Sequence, residues 1–224
     1  MKKSRISQHG ALLVALTSAH GALLPSAWAA ADTLIIDEPE TPGFQVPMPF
    51  DSIRITNTGS LVSQGQFMPA LTISPNVEVL ELDNEGAIYG RDSFAVYNEG
   101  NVSNLKNSGT IISDGAFNGR GDALFNSQTG KIDNLVNSGT ITTTSVDNTL
   151  SIGIRNEGTI GTLENTSTGS ISGFAGIYNF GRIDYLKNAG SITNLTATNF
   201  DTNPAIVNNG SIGTLENIGT SASN

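Results

Sequence analysis

The chemistry open to this 224-residue chain is narrow. It has no cysteine, and both histidines, His9 and His20, fall in the first thirty residues. Beyond them there is no thiol nucleophile, no imidazole base and no usual transition-metal ligand set. A hydroxyl such as that of Ser113 therefore has no imidazole to take its proton. Glu81, Asp83 and Glu85 alternate and could share one strand face, but a solvated face explains that spacing equally well. Arg91-Asp92, Arg120-Gly121-Asp122 and Arg182-Ile183-Asp184 each bring Arg and Asp close together. Preceded by Asn118-Gly119, the second of these reads as an exposed turn offering a cation and a carboxylate that an integrin grips through its metal. A tripeptide is a short motif, and an ordinary polar turn spells it by chance. Arg120, Gly121 and Asp122 are the candidate binding residues. The sequence offers no candidate catalytic residue, metal ligand or cofactor site.

Lys and Arg number 11 against 20 Asp and Glu, a net charge of −9. An acidic chain is a poor partner for nucleic acid, whose phosphates need cations. Lys2, Lys3 and Arg5 precede a largely apolar stretch, Gly10 to Leu24, closed by Pro25. Ala27-Trp28-Ala29 then places small residues at the −3 and −1 positions of a cleavage site. The stretch is too short and broken for a transmembrane span, so residues 1–29 read as a secretory signal peptide. An exported chain without disulfides is held by backbone pairing and core alone. Residues 30–51 carry Pro39, Pro42, Pro47 and Pro49, a density that resists helix and central strand, and read as a Pro-rich leader or N-terminal cap.

From residue 52 to 224 the chain repeats, regularly from about residue 94. The unit is apolar-x-Asn-x-Gly-x-apolar, as in Ile55-Thr56-Asn57-Thr58-Gly59-Ser60-Leu61 and Leu82-Asp83-Asn84-Glu85-Gly86-Ala87-Ile88. It then recurs in pairs: Asn98 and Asn107, Asn126 and Asn137, Asn156 and Asn165, Asn179 and Asn188, Asn208 and Asn217. Pair-to-pair steps are 28, 30, 23 and 29 residues, periods that mean a stacked array. Asn-x-Gly is turn chemistry, because both residues tolerate the left-handed conformation of a sharp corner. The flanks, such as Gly109-Thr110-Ile111 and Gly139-Thr140-Ile141, are β-branched. Ile160 and Leu163, Ile183 and Leu186, and Ile212 and Leu215 lie three apart in runs too short and too rich in Gly and Thr for a helix. A corner between two short strands points both inward.

These features predict an all-β parallel β-helix solenoid, right-handed, with three short strands and three turns per rung. Successive rungs stack about 4.8 Å apart. The asparagines then form two ladders, each amide bonding to the one above or below, and are scaffold. Intervals within a pair hardly vary, whereas those between pairs do. Insertions at Asp114 to Asp122, Thr143 to Thr149 and Thr196 to Pro204 therefore emerge on one side of the rod, where recognition usually lives. Asn101-Val102-Ser103, Asn165-Thr166-Ser167 and Asn194-Leu195-Thr196 spell glycosylation sequons.

The tandem text Asn156-Glu157-Gly158-Thr159-Ile160-Gly161-Thr162-Leu163-Glu164-Asn165 resembles the passenger domains of Gram-negative autotransporters. The export segment, the lack of cysteine and the acidic Thr/Asn/Gly-rich body are similar too. The resemblance covers residues 52–224 and implies an exported surface or secreted passenger, an adhesin or structural stalk without catalytic activity. Its partners would be a host-cell receptor or extracellular matrix. Such proteins end in a translocator barrel, their link to the outer membrane, whereas this sequence stops at Ser221-Ala222-Ser223-Asn224 after a repeat. The expectation is an N-terminal fragment, periplasmic if truncated. The alternative is a pectin lyase-like enzyme that cleaves polysaccharide, since right-handed β-helices also host these. Their paired or calcium-binding carboxylates have no evident counterpart here. A leucine-rich repeat, suggested by Ile132-Asp133-Asn134-Leu135, has its next Leu and Asn at the wrong offsets.

Overall fold

A computed structural model describes residues 33–63, 65, 68–115, 121–144, 151–195 and 204–222. The signal-peptide expectation for residues 1–29 lies outside the described residues. Within them the chain is all β, wound as a parallel β-helix with three sheets. The first sheet stacks Thr33–Ile36, Phe50–Ile55, Glu78–Asn84, Asn101–Asn107, Lys131–Asn137, Thr159–Asn165, Arg182–Asn188 and Ser211–Asn217 in chain order. The second stacks Thr41–Pro42, Ser60–Val62, Ala87–Gly90, Thr110–Ser113, Thr140–Thr143, Ser170–Gly173, Ser191–Asn194 and Thr220–Ala222. The third stacks Phe44–Val46, Leu71–Ile73, Val96–Asn98, Leu124–Asn126, Ile154–Asn156, Ile177–Asn179 and Ile206–Asn208. Each rung passes once through the three sheets, and the eighth rung is described in the first two.

Alternation decides what faces in. Along Thr140–Thr143, Ile141 is buried and its neighbours Thr140 and Thr142 are half-buried. Ile111, Ile141, Ile160, Leu163, Ile183 and Leu186 all point inward, within one continuous core running from Ile36 to Ala205. Fully burying each such side chain is worth about 1.5–3 kcal/mol. Repeated at three or four positions per rung, this burial holds together a chain with no cysteine to cross-link it.

The Ile-x-x-Leu spacing comes from a bend inside a single seven-residue strand rather than from a turn between two strands. Ile132 pairs with Ile160 and Asn134 with Thr162, with Asp133 and Gly161 between them at the bend. A Cβ on Gly161 would stand 2.5 Å from the carbonyl oxygen of Asp133. Other rungs hold Leu80, Ser103, Asp133 and Asp184 at this bend position, so the bend does not itself require glycine.

The Pro-rich stretch is part of the solenoid. Thr33–Ile36 pairs with Phe50–Ile55, Thr41–Pro42 with Leu61 and Val62, and Phe44–Val46 with Leu71–Ile73. Residues 33–46 thus form the first described rung, which among the described residues has a neighbour on one side only. Proline is tolerated at such an edge because a missing N–H costs no ladder bond there.

The glycines of the Asn-x-Gly turns are required for a reason other than the left-handed conformation. Among the described residues, positive φ occurs at Glu40, Asn76, Asp92 and Gly115, none of them in an Asn-x-Gly turn. Instead the turns stack in contact. A Cβ on Gly109 would lie 2.1 Å from the Gly86 carbonyl oxygen, and one on Gly139 2.1 Å from that of Gly109. Any side chain there collides with the backbone of the rung before.

Candidate functional site

The ten asparagines form two columns. Asn98 Nδ2 donates to Asn126 Oδ1 (2.8 Å), and the chain of bonds continues through Asn156 (2.8 Å) and Asn179 (2.7 Å) to Asn208 (2.7 Å). Asn107 donates likewise to Asn137, and so on through Asn165, Asn188 and Asn217, each bond 2.8 Å. Asn84 begins this second column by donating to Asn107 at 2.7 Å. Asn57 stands outside it: Ile55 is the residue paired with Asn84, and Asn57 lies in the turn beyond. The turn from Ile55 to Gly59 is two residues longer than that from Asn84 to Gly86, so the apparent match of the two segments is out of register.

Both columns run in one direction, and the backbone sets that direction. Asn137 Nδ2 also reaches the carbonyls of Gly139 (3.2 Å) and Ser170 (3.3 Å). Only the NH2 side of the amide can sit among carbonyl oxygens, so Oδ1 must face the previous rung. Below the columns the same positions are apolar: Ile36 and Ile55 under Asn84, Val46 and Ile73 under Asn98. Asn98 Oδ1 accepts from the Gly100 amide, whereas the buried Asn84 Oδ1 has no donor among the described residues.

The candidate Arg-Gly-Asp turn takes a different form from the one expected. Arg120 lies outside the described residues. Asp122 is 0 % exposed, and its Oδ1 accepts a 3.0 Å hydrogen bond from the amide of Ile152 one rung on. A Cβ on Gly121 would lie 2.3 Å from the Cα of Gly115 and 2.5 Å from Ser113 Oγ. Asp122 thus braces the corner from within instead of offering a carboxylate to solvent. Two of the three sequons behave similarly: Asn165 and Asn194 are fully buried.

The outward faces differ in chemistry. The first sheet carries charge in cross-rung pairs, Arg54 with Glu85 (2.6 Å), Lys106 with Glu81 (2.7 Å) and Lys187 with Glu164 (3.0 Å). Glu81 and Asp83 belong to this face, and Glu85 lies in the turn just after Asn84. Burial, then Glu85 and Glu81, raises the Asp83 carboxyl above its ordinary value, against the opposing pull of Arg54 and Lys106. The second sheet presents hydroxyls, among them Thr140, Thr142, Ser170, Ser172, Ser191 and Thr193, with Thr142 and Ser172 bonded at 2.7 Å.

The third sheet presents aromatic rings and one guanidinium. The residues before the five asparagines of the first column, Tyr97, Phe125, Arg155, Tyr178 and Val207, stack on one another, and Thr72, before Ile73, continues the row beneath Tyr97. Tyr97 and Phe125 have centroids 5.3 Å apart, and Phe94 lies 5.6 Å from Tyr97 and 5.3 Å from Phe125. The Arg155 guanidinium lies 5.1 Å over Phe125 and 5.6 Å over Phe180, and it is ion-paired to Glu157. Phe180 stacks on Tyr178 at 4.5 Å and is 46 % exposed. The Tyr97 hydroxyl donates to Glu99 (3.2 Å). Burial, followed by the charges of Glu99 and Glu157, raises its pKa above the ordinary tyrosine value.

The variable segments share one place in the chain order of every rung. Residues 63–70, 91–95, 114–123, 144–153, 174–176 and 195–205 all join a second-sheet strand to a third-sheet strand. Elsewhere the turns hold two or a few residues. Sequence reasoning located this corner but missed the stripe. Its signal was present in the residue preceding each asparagine of the first column: Tyr97, Phe125, Arg155, Tyr178 and Val207.

Among the described residues no group of three or more His, Cys, Asp and Glu is placed to hold a metal ion. Compared with known proteins, the chain matches no family model, no curated protein and no solved structure.

Proposed function

We propose that this chain is the rod of an exported surface protein, an adhesin or structural stalk of the autotransporter-passenger kind, which binds rather than catalyses. The observation that carries this reading is the division between a uniform interior and a variable corner. Core positions and Asn columns repeat rung after rung, while changes in segment length gather at the junction of the second and third sheets. A stiff frame with loops along one side gives an extended binding surface. The basic n-region and Ala27-Trp28-Ala29 support export, with residues 1–29 removed. The repeat text supports the autotransporter kinship.

Two measurements test the proposal. Expression of the full chain in a Gram-negative host should give a product whose N-terminus begins at Ala30. Beads carrying the purified chain should adhere to host cells or to matrix proteins, with no release of fragments from pectin or other polysaccharides. Retention of an unprocessed chain in the cytoplasm would overturn the export reading. Turnover of a polysaccharide would replace the adhesin with an enzyme.

A further inference from the structure

The third face already holds one cation of the chain's own, the guanidinium of Arg155. The Arg155 guanidinium lies between the rings of Phe125 and Phe180 and is held by Glu157, two residues along the same rung. Aromatic faces attract cations through the ring quadrupole, and a carboxylate at the ring edge adds charge and direction. The same combination recurs two rungs earlier. Glu99 occupies the turn Asn98-Glu99-Gly100 as Glu157 occupies Asn156-Glu157-Gly158, and Tyr97 shares the column of Arg155.

At this earlier position no cation is in place among the described residues. Phe125 lies over one face of Tyr97 with its plane tilted 36°, and Phe94, 5.3 Å from Phe125, stacks with Tyr97 at an interplanar angle of 22°. On the other face the paired residue is Thr72, too short to cover a ring, and Gln45 below it is tied to Ser74 at 2.9 Å. The described ion pairs of the chain leave Glu99 without a Lys or Arg partner. The Tyr97 hydroxyl engages one oxygen of Glu99, and a carboxylate has a second to offer.

We propose that the Thr72-facing side of Tyr97, with Phe94 and Glu99, takes the guanidinium of an arginine side chain presented by a partner protein. The overall charge of −9 favours a basic partner over an acidic one. For its biological occupant the inference rests on the reading of the rod as a binding scaffold. The binding chemistry itself rests only on the geometry of Phe94, Tyr97 and Glu99.

The test is a titration of the purified full chain with a blocked Gly-Arg-Gly peptide, followed by NMR on labelled aromatic rings. The neutral citrulline peptide and a neutral oligosaccharide serve as the comparison probes. The arginine peptide should shift the Phe94 and Tyr97 resonances at millimolar concentration, with an effect that shrinks as salt rises. The citrulline peptide should leave them in place. Glu99→Gln should weaken binding about two- to fivefold while leaving the thermal midpoint unchanged. Equal shifts from arginine and citrulline, stronger shifts from the oligosaccharide, or unchanged arginine binding in Glu99→Gln would each overturn the proposal. Cell attachment is not the readout, so failure here leaves the adhesin reading intact. A chain that binds arginine but adheres to nothing would overturn that reading alone.

Discussion

Replacing Asn137 by aspartate tests the direction of the Asn column with a change of one atom. Asn137 is fully buried; its Oδ1 accepts from Asn107 Nδ2, and its Nδ2 donates to Asn165 Oδ1 at 2.8 Å. In Asn137→Asp the first bond survives, because a carboxylate also accepts. The second becomes two oxygens face to face, with the Gly139 and Ser170 carbonyls close by. Asn165 cannot turn over to compensate, since its own Nδ2 is committed to the carbonyls of Gly169 (3.2 Å) and Ser191 (3.1 Å). The carboxyl therefore has to hold a proton and donate it upward. An unfolded aspartate titrates near 3.9, so keeping it protonated at pH 7 costs about three pH units at about 1.4 kcal/mol each, or about 4 kcal/mol. Near pH 4 that cost falls below about 1 kcal/mol. Denaturant unfolding of wild type and variant, followed by circular dichroism between pH 4 and 7, should show a gap that opens as pH rises. A gap of constant size, or none, would refute a column whose polarity is fixed by the backbone carbonyls.

Three further outcomes follow from named contacts. Ile55→Asn adds a donor beneath the orphan Asn84 Oδ1, so in urea unfolding it should cost about 1 kcal/mol, against about 4 kcal/mol for Ile111→Asn, which meets no partner column. Asp122→Ala leaves the buried Ile152 amide without its acceptor; it should lower stability by about 1–3 kcal/mol and leave integrin-dependent attachment, measured on folded protein, unchanged. Burial raises the Asp83 carboxyl, so the folded state holds this proton more tightly than the unfolded chain and loses stability as pH climbs through and above the ordinary carboxylate range. Asp83→Asn should therefore raise the thermal midpoint at pH 7, and the gain should vanish near pH 4.

The periodic part of this protein was legible in its sequence. Composition and the Asn-x-Gly phase were enough to predict a parallel β-helix, the two columns of five asparagines and the inward set around Ile111 and Leu163. Each of these repeats at one period, and stacking turns a one-dimensional period into a three-dimensional column. The corner that holds the insertions was legible for the same reason. What the sequence left open was whatever depends on contact between rungs. Asn57 matches the repeat text yet lies outside the column, because turn length, set by pairing with the next rung, decides register. Gly109 and Gly139 looked like left-handed turn glycines, and only the 2.1 Å approach of the preceding carbonyl reveals the steric reason for them. Asp122 read as an exposed carboxylate until the Ile152 amide above it came into view. Phe94, Tyr97, Phe125, Arg155 and Phe180 are spread over 87 residues of chain, and no local pattern marks them as one surface. Tertiary structure decided that they stack, because rings become neighbours only when the rungs that carry them lie about one strand spacing apart.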